Sequence, residues 1–373
     1  MAARKHIIVS VTNDLVTDNR VDKVCSFLME QGFIVTLVGR KRKNSLPMPD
    51  RKYKCVRMKL FFDKGALFYA EYNIRLFLFQ LFHKSSHLLA NDLDTLLSGY
   101  LAAKIKGNRL IYDTHEYFTE VPELVSRPRI KRIWERIEEW IFPKLEAIYT
   151  VNDSIASRYS EKYGKNVRVV RNVSRKWTPK DIVPKSELGI PEDKKLLIVQ
   201  GAGINIDRGV EEAVEAMKYT EGLFLMIVGD GDVVPQLKEQ VAREQLGDKV
   251  RFYGKRPFNE LMYYTFHADF GLTLDKDTNL NYRFSLPNKV FDYIHATTPV
   301  LASDLPEIRK VVEGYQVGTF IPSHDPKELA AFFMETARNE EQLTYWKQNC
   351  QRAAKELCWE HEEEVLKEIY EVS

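Results

Sequence analysis

The chain has 373 residues, 44% of them apolar, with 55 Lys and Arg against 53 Asp and Glu. That length supports two domains of ordinary size, and a mean hydropathy of −0.35 excludes an integral membrane protein. The four cysteines, Cys25, Cys55, Cys350 and Cys358, are too scattered for a disulfide scaffold or a metal site and read as reduced thiols of a cytosolic protein.

Met1-Ala-Ala-Arg-Lys-His runs straight into the strand Ile7–Val11, so no signal peptide is expected. A helix over Asp22–Glu30 ends at Gly32, before the strand Ile34–Val38. The apolar run from Ala66 to Phe82 is interrupted by Glu71 and Arg75, which argues against a membrane span. Further strands are predicted at His87–Leu89, Leu110–Tyr112, Ala147–Val151 and Val167–Val170, with helices at Leu93–Lys106 and Ile130–Phe142 between them. Strand–helix alternation with continuous apolar strands predicts a parallel sheet covered on both faces. The Pro- and Lys-rich stretch 174–194 reads as a linker.

The alternation restarts at Leu196–Gln200. It continues through strands Leu223–Val228, Val250–Phe252, Phe270–Leu274 and Val300–Ala302, with helices Gly209–Met217, Val233–Gln245 and Phe258–Thr265. Glu341–Val372 reads as a terminal helix. Two doubly wound α/β halves in tandem make the carboxyl ends of their strands, and the cleft between them, the expected ligand site. Charge divides in the same way. Residues 1–180 hold 33 Lys and Arg against 19 Asp and Glu, and the remainder hold 22 against 34. Basic runs such as Arg40–Lys43 and Arg127–Arg132 suit anionic lipid or an anionic substrate, or are solvated faces.

Several segments point to chemistry. Ser285–Asp304 reads as loop, helix and strand, with Pro287 at the helix start. Free N–H groups at Leu286, Asn288 and Lys289 suit an anion, and Asp292 one turn later suits sugar hydroxyls; an ordinary αβ unit fits the pattern equally. Gly201-Ala-Gly203-Ile-Asn-Ile-Asp-Arg208-Gly209 follows a strand and opens a helix, so Gly203 allows close backbone approach and Arg208 a phosphate clamp. Ile206 stands where a dinucleotide fingerprint needs its third glycine, which disfavours an NAD dehydrogenase. Gly229 in Val228–Asp232 shapes a turn at another strand end, and Lys255 is a second candidate phosphate cation. In the first half, Asp113-Thr-His115-Glu116 sets a histidine among carboxylates at a strand end. Asn91-Asp92-Leu-Asp94 reads as a helix cap. Asp18 and Arg20, in the first strand–helix loop, serve a ligand or a cap and internal ion pair.

This ordered set resembles the retaining GT-B glycosyltransferases of family 4 along essentially the whole chain. The resemblance is carried by Asp18-Asn-Arg-Val21 with Gly32-Phe-Ile-Val35, Asn91–Asp94, Tyr112–Glu116, Gly201–Gly209, Val228–Gly231 and Pro287–Tyr293. It implies two Rossmann-like domains facing a cleft: an acceptor-side domain over 1–175, a nucleotide-sugar domain over 195–345, and a helix over 346–373 returning to the first. It implies His115 with Asp113 and Glu116 as the catalytic group. Gly203, Arg208, Gly229, Lys255, Arg283, Leu286, Asn288, Lys289 and Asp292 would lie on the donor, with Asp18, Arg20, Asn91 and Asp92 on the acceptor side. The family's two glutamates eight positions apart are replaced by Phe284 and Asp292, and its first diphosphate arginine by Ala202, so Arg283 or Lys255 is expected to compensate.

The activity so implied is metal-independent hexosyl transfer from a nucleotide-diphosphate sugar to a glycan or lipid-linked acceptor, in surface polysaccharide synthesis, without a cofactor. A sugar-nucleotide epimerase and a catalytically degenerate binding protein are the rival readings. The expected place is the cytoplasm, with peripheral contact at the inner membrane face. No nucleic acid is expected among the partners.

Overall fold

The computed structural model describes residues 5–16 and 18–372; the first four residues, on which the reading of a missing leader rests, lie outside them. The chain divides into two units, Met1–Asn172 with Glu363–Ser373, and Val173–Glu362. Each is an α/β layer structure on an all-parallel sheet.

The first unit holds seven strands: β1 His6–Ser10, β2 Ile34–Lys41, β3 Lys54–Lys59, β4 His87–Asn91, β5 Arg109–Thr114, β6 Ala147–Thr150 and β7 Arg168–Val169. Their order is β3-β2-β1-β4-β5-β6-β7. The order reverses between β1 and β4, and such a reversal opens a crevice at the carboxyl ends of the strands. Helix Asn19–Glu30 buries Val21, Val24, Cys25 and Leu28 at helical spacing, and Asp18 caps it by accepting from the Val21 N–H at 3.0 Å. Parallel neighbours need right-handed crossovers. Movement from β1 to β2 and from β3 through β6 therefore puts helix Asn19–Glu30 on one face of the sheet. Helices Gly65–Phe82, Leu93–Lys106 and Pro128–Ile141 cover the other. There Phe68, Tyr72 and Leu76 pack with Ala102 and Ala103 on Ile8, Val38 and Leu88.

Strand β3 lay outside the sequence expectation. Strand β3 sits at a sheet edge, is at most half-buried and carries charges at Lys54, Arg57 and Lys59, so it lacks the apolar run that marks its neighbours.

The second unit holds β8 Lys195–Gly201, β9 Leu223–Gly229, β10 Val250–Phe252, β11 Phe270–Thr273, β12 Val300–Ala302 and β13 Gly318–Phe320. Their order is β10-β9-β8-β11-β12-β13, which reverses between β8 and β11. Gly229 ends β9 at φ +155°, where a Cβ would stand 1.8 Å from the Gly201 carbonyl oxygen. This glycine allows the close approach of the two strand ends.

Two expectations about boundaries are corrected. The stretch 174–194 is not a free linker: His267 Nε2 meets the Val183 oxygen at 2.7 Å and Tyr263 donates to the Lys180 oxygen at 3.3 Å, so it is tied down within the second unit. The terminal segment is two helices, Glu340–Glu356 and Trp359–Tyr370. Leu357, Cys358 and Trp359 are at most 1% exposed. The Leu357 oxygen accepts from His295 at 2.9 Å and the Trp359 N–H donates to Ser174 at 2.9 Å, which draws the chain out of helix. Only residues from Glu363 onward belong with the first unit.

Candidate active site

At the β1/β4 reversal, register puts Asn91 opposite Asp113, and the turn after β5 brings His115 over both. His115 Nε2 lies 3.1 Å from Asn91 Oδ1 and 3.1 Å from Asp113 Oδ2. Its Nδ1 lies 3.4 Å from Asp92, whose carboxylate also accepts the His115 N–H at 2.8 Å. Asp92 holds φ +61°, a strained value for a non-glycine residue, and this turns its carboxylate toward β5. The expectation that Asp92 caps the following helix is therefore corrected: its side chain makes no cap hydrogen bond.

Arg20 lies behind this group. It is 4% exposed and grips the fully buried Asp113 through two bonds, Nε to Oδ2 at 3.0 Å and a terminal nitrogen to Oδ1 at 2.8 Å. Its third bond goes to the Val170 carbonyl at 2.9 Å. Its expected place on an acceptor surface is corrected, because the guanidinium faces inward and positions Asp113. Asp18 caps its helix and accepts from Asn13 at 2.6 Å. Glu116 is half-buried, and its backbone oxygen accepts from Thr114 at 2.7 Å.

The electrostatics follow from these neighbours. Burial opposes charge on Asp113, but Arg20 and His115 outweigh it and hold the carboxyl below its usual range. Burial likewise opposes charge on His115, yet Asp92 and Asp113 raise its pKa to about 9. Asp94, buried beside Asp92 and accepting from Thr12, is pushed up to about 7, chiefly by burial. Thr12 and Asp94 were not anticipated as part of this group; only the fold brings the β1 loop against the start of helix Leu93–Lys106.

These values carry a prediction. A raised folded-state pKa gives His115 a stabilising contribution that is complete below its unfolded value of ~6.5 and is lost as pH rises through about 9. Melts of the protein and its His115→Gln variant should therefore converge between those limits. An imidazole titrating by NMR at or below ~6.5 would contradict the assignment.

In the second unit, the β8/β11 reversal carries the other group. Arg208, in the loop after β8, bonds the fully buried Asp275 after β11 at 2.6 Å and lies 4.1 Å over the Tyr282 ring. Its Nε is buried without a partner among the described residues, as is the Ser285 hydroxyl. Lys289 stands in the same field: burial holds its amine below the usual range, Asp275 opposes that shift and Arg208 adds to it. Pro287 is the N-cap of helix Asn288–His295. The N–H groups of Leu286, Asn288 and Lys289 meet no acceptor among the described residues. Two cations, one carboxylate, an orphaned hydroxyl and unspent N–H groups form a cradle for a polyanion.

Not every expected donor residue joins this cradle. Lys255 is 68% exposed and pairs with Asp230 at 3.3 Å; Arg283 is 52% exposed and 3.6 Å from Asp277. Lys289, in the field of Asp275 and Arg208, is a further candidate cation besides the expected Lys255 and Arg283. Gly203 is open, with nothing within 4 Å of a Cβ placed there. Phe284 is 8% exposed and packs as core. Asp292 accepts from Ser174, and from Gln200 Nε2 at 3.1 Å, so a sugar hydroxyl would share an occupied carboxylate. Asp275 and Tyr282 escaped the sequence reading; the position of Asp275 just past a strand's carboxyl end was the available signal.

Residues 184–353 match the family described as Glycosyl transferases group 1. Over 149 residues the chain is 28% identical to the amylovoran biosynthesis glycosyltransferase AmsK of Erwinia amylovora, a match spanning 39% of this chain and 37% of that protein. The sucrose-phosphate synthase of Thermosynechococcus elongatus superposes with a TM-score of 0.79 at 16% identity, covering 99% of this chain and 98% of that one. Anabaena HepE in complex with UDP-glucose gives 0.72 at 15%, covering 98% and 99%. WaaG, a glycosyltransferase involved in lipopolysaccharide biosynthesis, gives 0.72 at 14%, covering 97% and 99%. Residues 184–353 thus carry a group 1 glycosyl transferase domain, and the chain shares the fold of these solved structures.

Proposed function

We propose that the protein transfers a hexosyl group from a nucleoside-diphosphate sugar to a glycan or lipid-linked acceptor, with retention of configuration and without a metal. The observation that carries this reading is the cradle of Arg208, Lys289, Ser285 and the helix N–H groups at the β8/β11 reversal. It fits a leaving diphosphate, whose growing charge the two cations and the helix start would meet. A UDP sugar is the first donor to test, because HepE, which shares the fold, was solved with UDP-glucose. The naming of AmsK for amylovoran biosynthesis supports a polysaccharide product. His115, held as an imidazolium, is the proposed catalytic group of the acceptor-side unit, with Asp113 and Asp92 as its counter-charges. No described helix is long and apolar enough to cross a membrane, and we place the protein in the cytoplasm at the membrane face.

The test is a thermal-shift series with UDP, GDP, ADP and TDP, since a ligand that binds only the folded state raises the midpoint. One diphosphate at 100 times its Kd should stabilise by about 2.7 kcal/mol, and its monophosphate less. Equal midpoints with all four would remove the donor reading. The buried Phe284 favours a binding-only protein as the second reading. Release of free sugar or glycoside from the stabilising donor separates the two.

A further inference from the structure

Strand β2 runs out into the basic stretch Arg40–Lys43, which neither the His115 group nor the Arg208 cradle uses. Arg40 is half-buried, and its guanidinium lies 4.3 Å over the Phe68 ring, so stacking fixes its plane. One terminal nitrogen donates to the Asp63 carbonyl at 3.2 Å. Nε is buried without a partner, and no carboxylate among the described residues forms an ion pair with the guanidinium. Burial and then Arg42 oppose the Arg40 charge, while Tyr69, Asp63 and Asp94 favour it. A guanidinium taken half out of water beside a second cation calls for an anion.

Asp94 stands in the same field. Thr12, in the loop after β1, donates to its Oδ2, and Oδ1 accepts nothing among the described residues. Asn73 fixes the start of helix Leu93–Lys106 by donating to the Asp94 backbone oxygen at 2.8 Å, while its own Oδ1 is buried and unpartnered. Tyr69, one turn before Asn73, lies in the field of both Asp94 and Arg40. Thr12, Arg40 and Asp94 belong to the carboxyl ends of β1, β2 and β4, the edge of the sheet on which His115 follows β5. Two different capacities meet there. A guanidinium fork takes an oxyanion, and a carboxyl oxygen accepts a hydroxyl.

We propose that Arg40 and Asp94 form an acceptor subsite in the first unit, Asp94 accepting a sugar hydroxyl and Arg40 holding an anionic substituent, phosphate or carboxylate, of the same acceptor. The proposal rests on the transferase reading and deepens it: the acceptor is an acidic sugar. The excess of cations over residues 1–180, 33 against 19, suits the approach of such a ligand.

The test is calorimetric titration of the full chain with methyl hexoside, methyl hexuronide and hexose 1-phosphate, each in gluco and galacto forms. One of the two anions is expected to bind at least ~10-fold tighter than the neutral glycoside, a preference that fades with salt. Which anion it is tells carboxylate from phosphate. Arg40→Met should level the three affinities. Arg40→Lys, which keeps the charge without the fork, should restore part of the preference. Asp94→Asn should weaken all three probes alike, since the hydroxyl is common to them. Equal binding of neutral and charged probes by the parent, no binding of any probe, or a preference that survives Arg40→Met overturns the proposal. So does a preference lost in Arg208→Ala, because the anion would then sit in the cradle of the second unit. The parent's thermal shift with its nucleoside diphosphate is recorded separately. A shift without the preference sinks this subsite alone, and a preference without a shift sinks only the donor reading.

Discussion

Replacing Arg20 with methionine is expected to destabilise the first unit by about 3–5 kcal/mol, the usual consequence of leaving one partner of a buried ion pair behind. Arg20 and Asp113 are 4% and 0% exposed, so solvent does not screen the charge that remains. The Val170 carbonyl loses its donor as well. Denaturant melts monitored on the first unit would measure the loss. The double variant Arg20→Met, Asp113→Leu should recover much of it, because the buried carboxylate left facing His115 alone is removed as well. If the single variant melts within about 1 kcal/mol of the parent, the pair does not organise this site. The same substitution separates positioning from folding. Where the variant remains folded, the His115 titration should move from about 9, because Arg20 opposes the imidazolium while the Asp113 charge it holds in place supports it.

Arg208→Ala is expected to lower turnover by ~10²–10³, the ~3–4 kcal/mol commonly lost with a preorganised group that meets transition-state charge. Its guanidinium stands at the β8/β11 reversal with Nε unspent, stacked on Tyr282 and anchored by Asp275. Arg208→Lys keeps a charge but loses the fork and the stacking, so it should recover only part of the activity. Each variant is first checked for an unshifted melt, because Asp275 is fully buried and its charge is exposed to the loss of its partner. Turnover and diphosphate affinity both equal to the parent's would place the donor elsewhere.

The motifs that mark the two candidate sites all stand at strand ends, and the sequence showed those ends well. Ile7–Val11, Leu196–Gln200 and Leu223–Val228 are runs of apolar residues bounded by glycine or polar turns, and each is a central strand. The signal weakened at edges. Strand β3, half-buried and charged, left no apolar run, and β13 has three half-buried residues. The break at Leu357–Trp359 was also invisible. Helical periodicity continues through it, and what ends the helix is burial against Ser174 and His295, far away in the chain.

Local patterns alone established that the chain is α/β with two parallel sheets, and that His115 and Arg208 stand where such sheets hold ligands. Spacing and apolar runs are properties of neighbours in sequence. Which carboxylate each cation would meet was settled by the sheet order. Arg20 meets Asp113 across 93 positions, and Arg208 meets Asp275 across 67. Lys289 enters the field of Arg208 and Asp275 because β11 and helix Asn288–His295 share the side of β8 away from β9 and β10. A charge has a free energy only in its surroundings, and those surroundings come from strand order and burial, which no single segment carries.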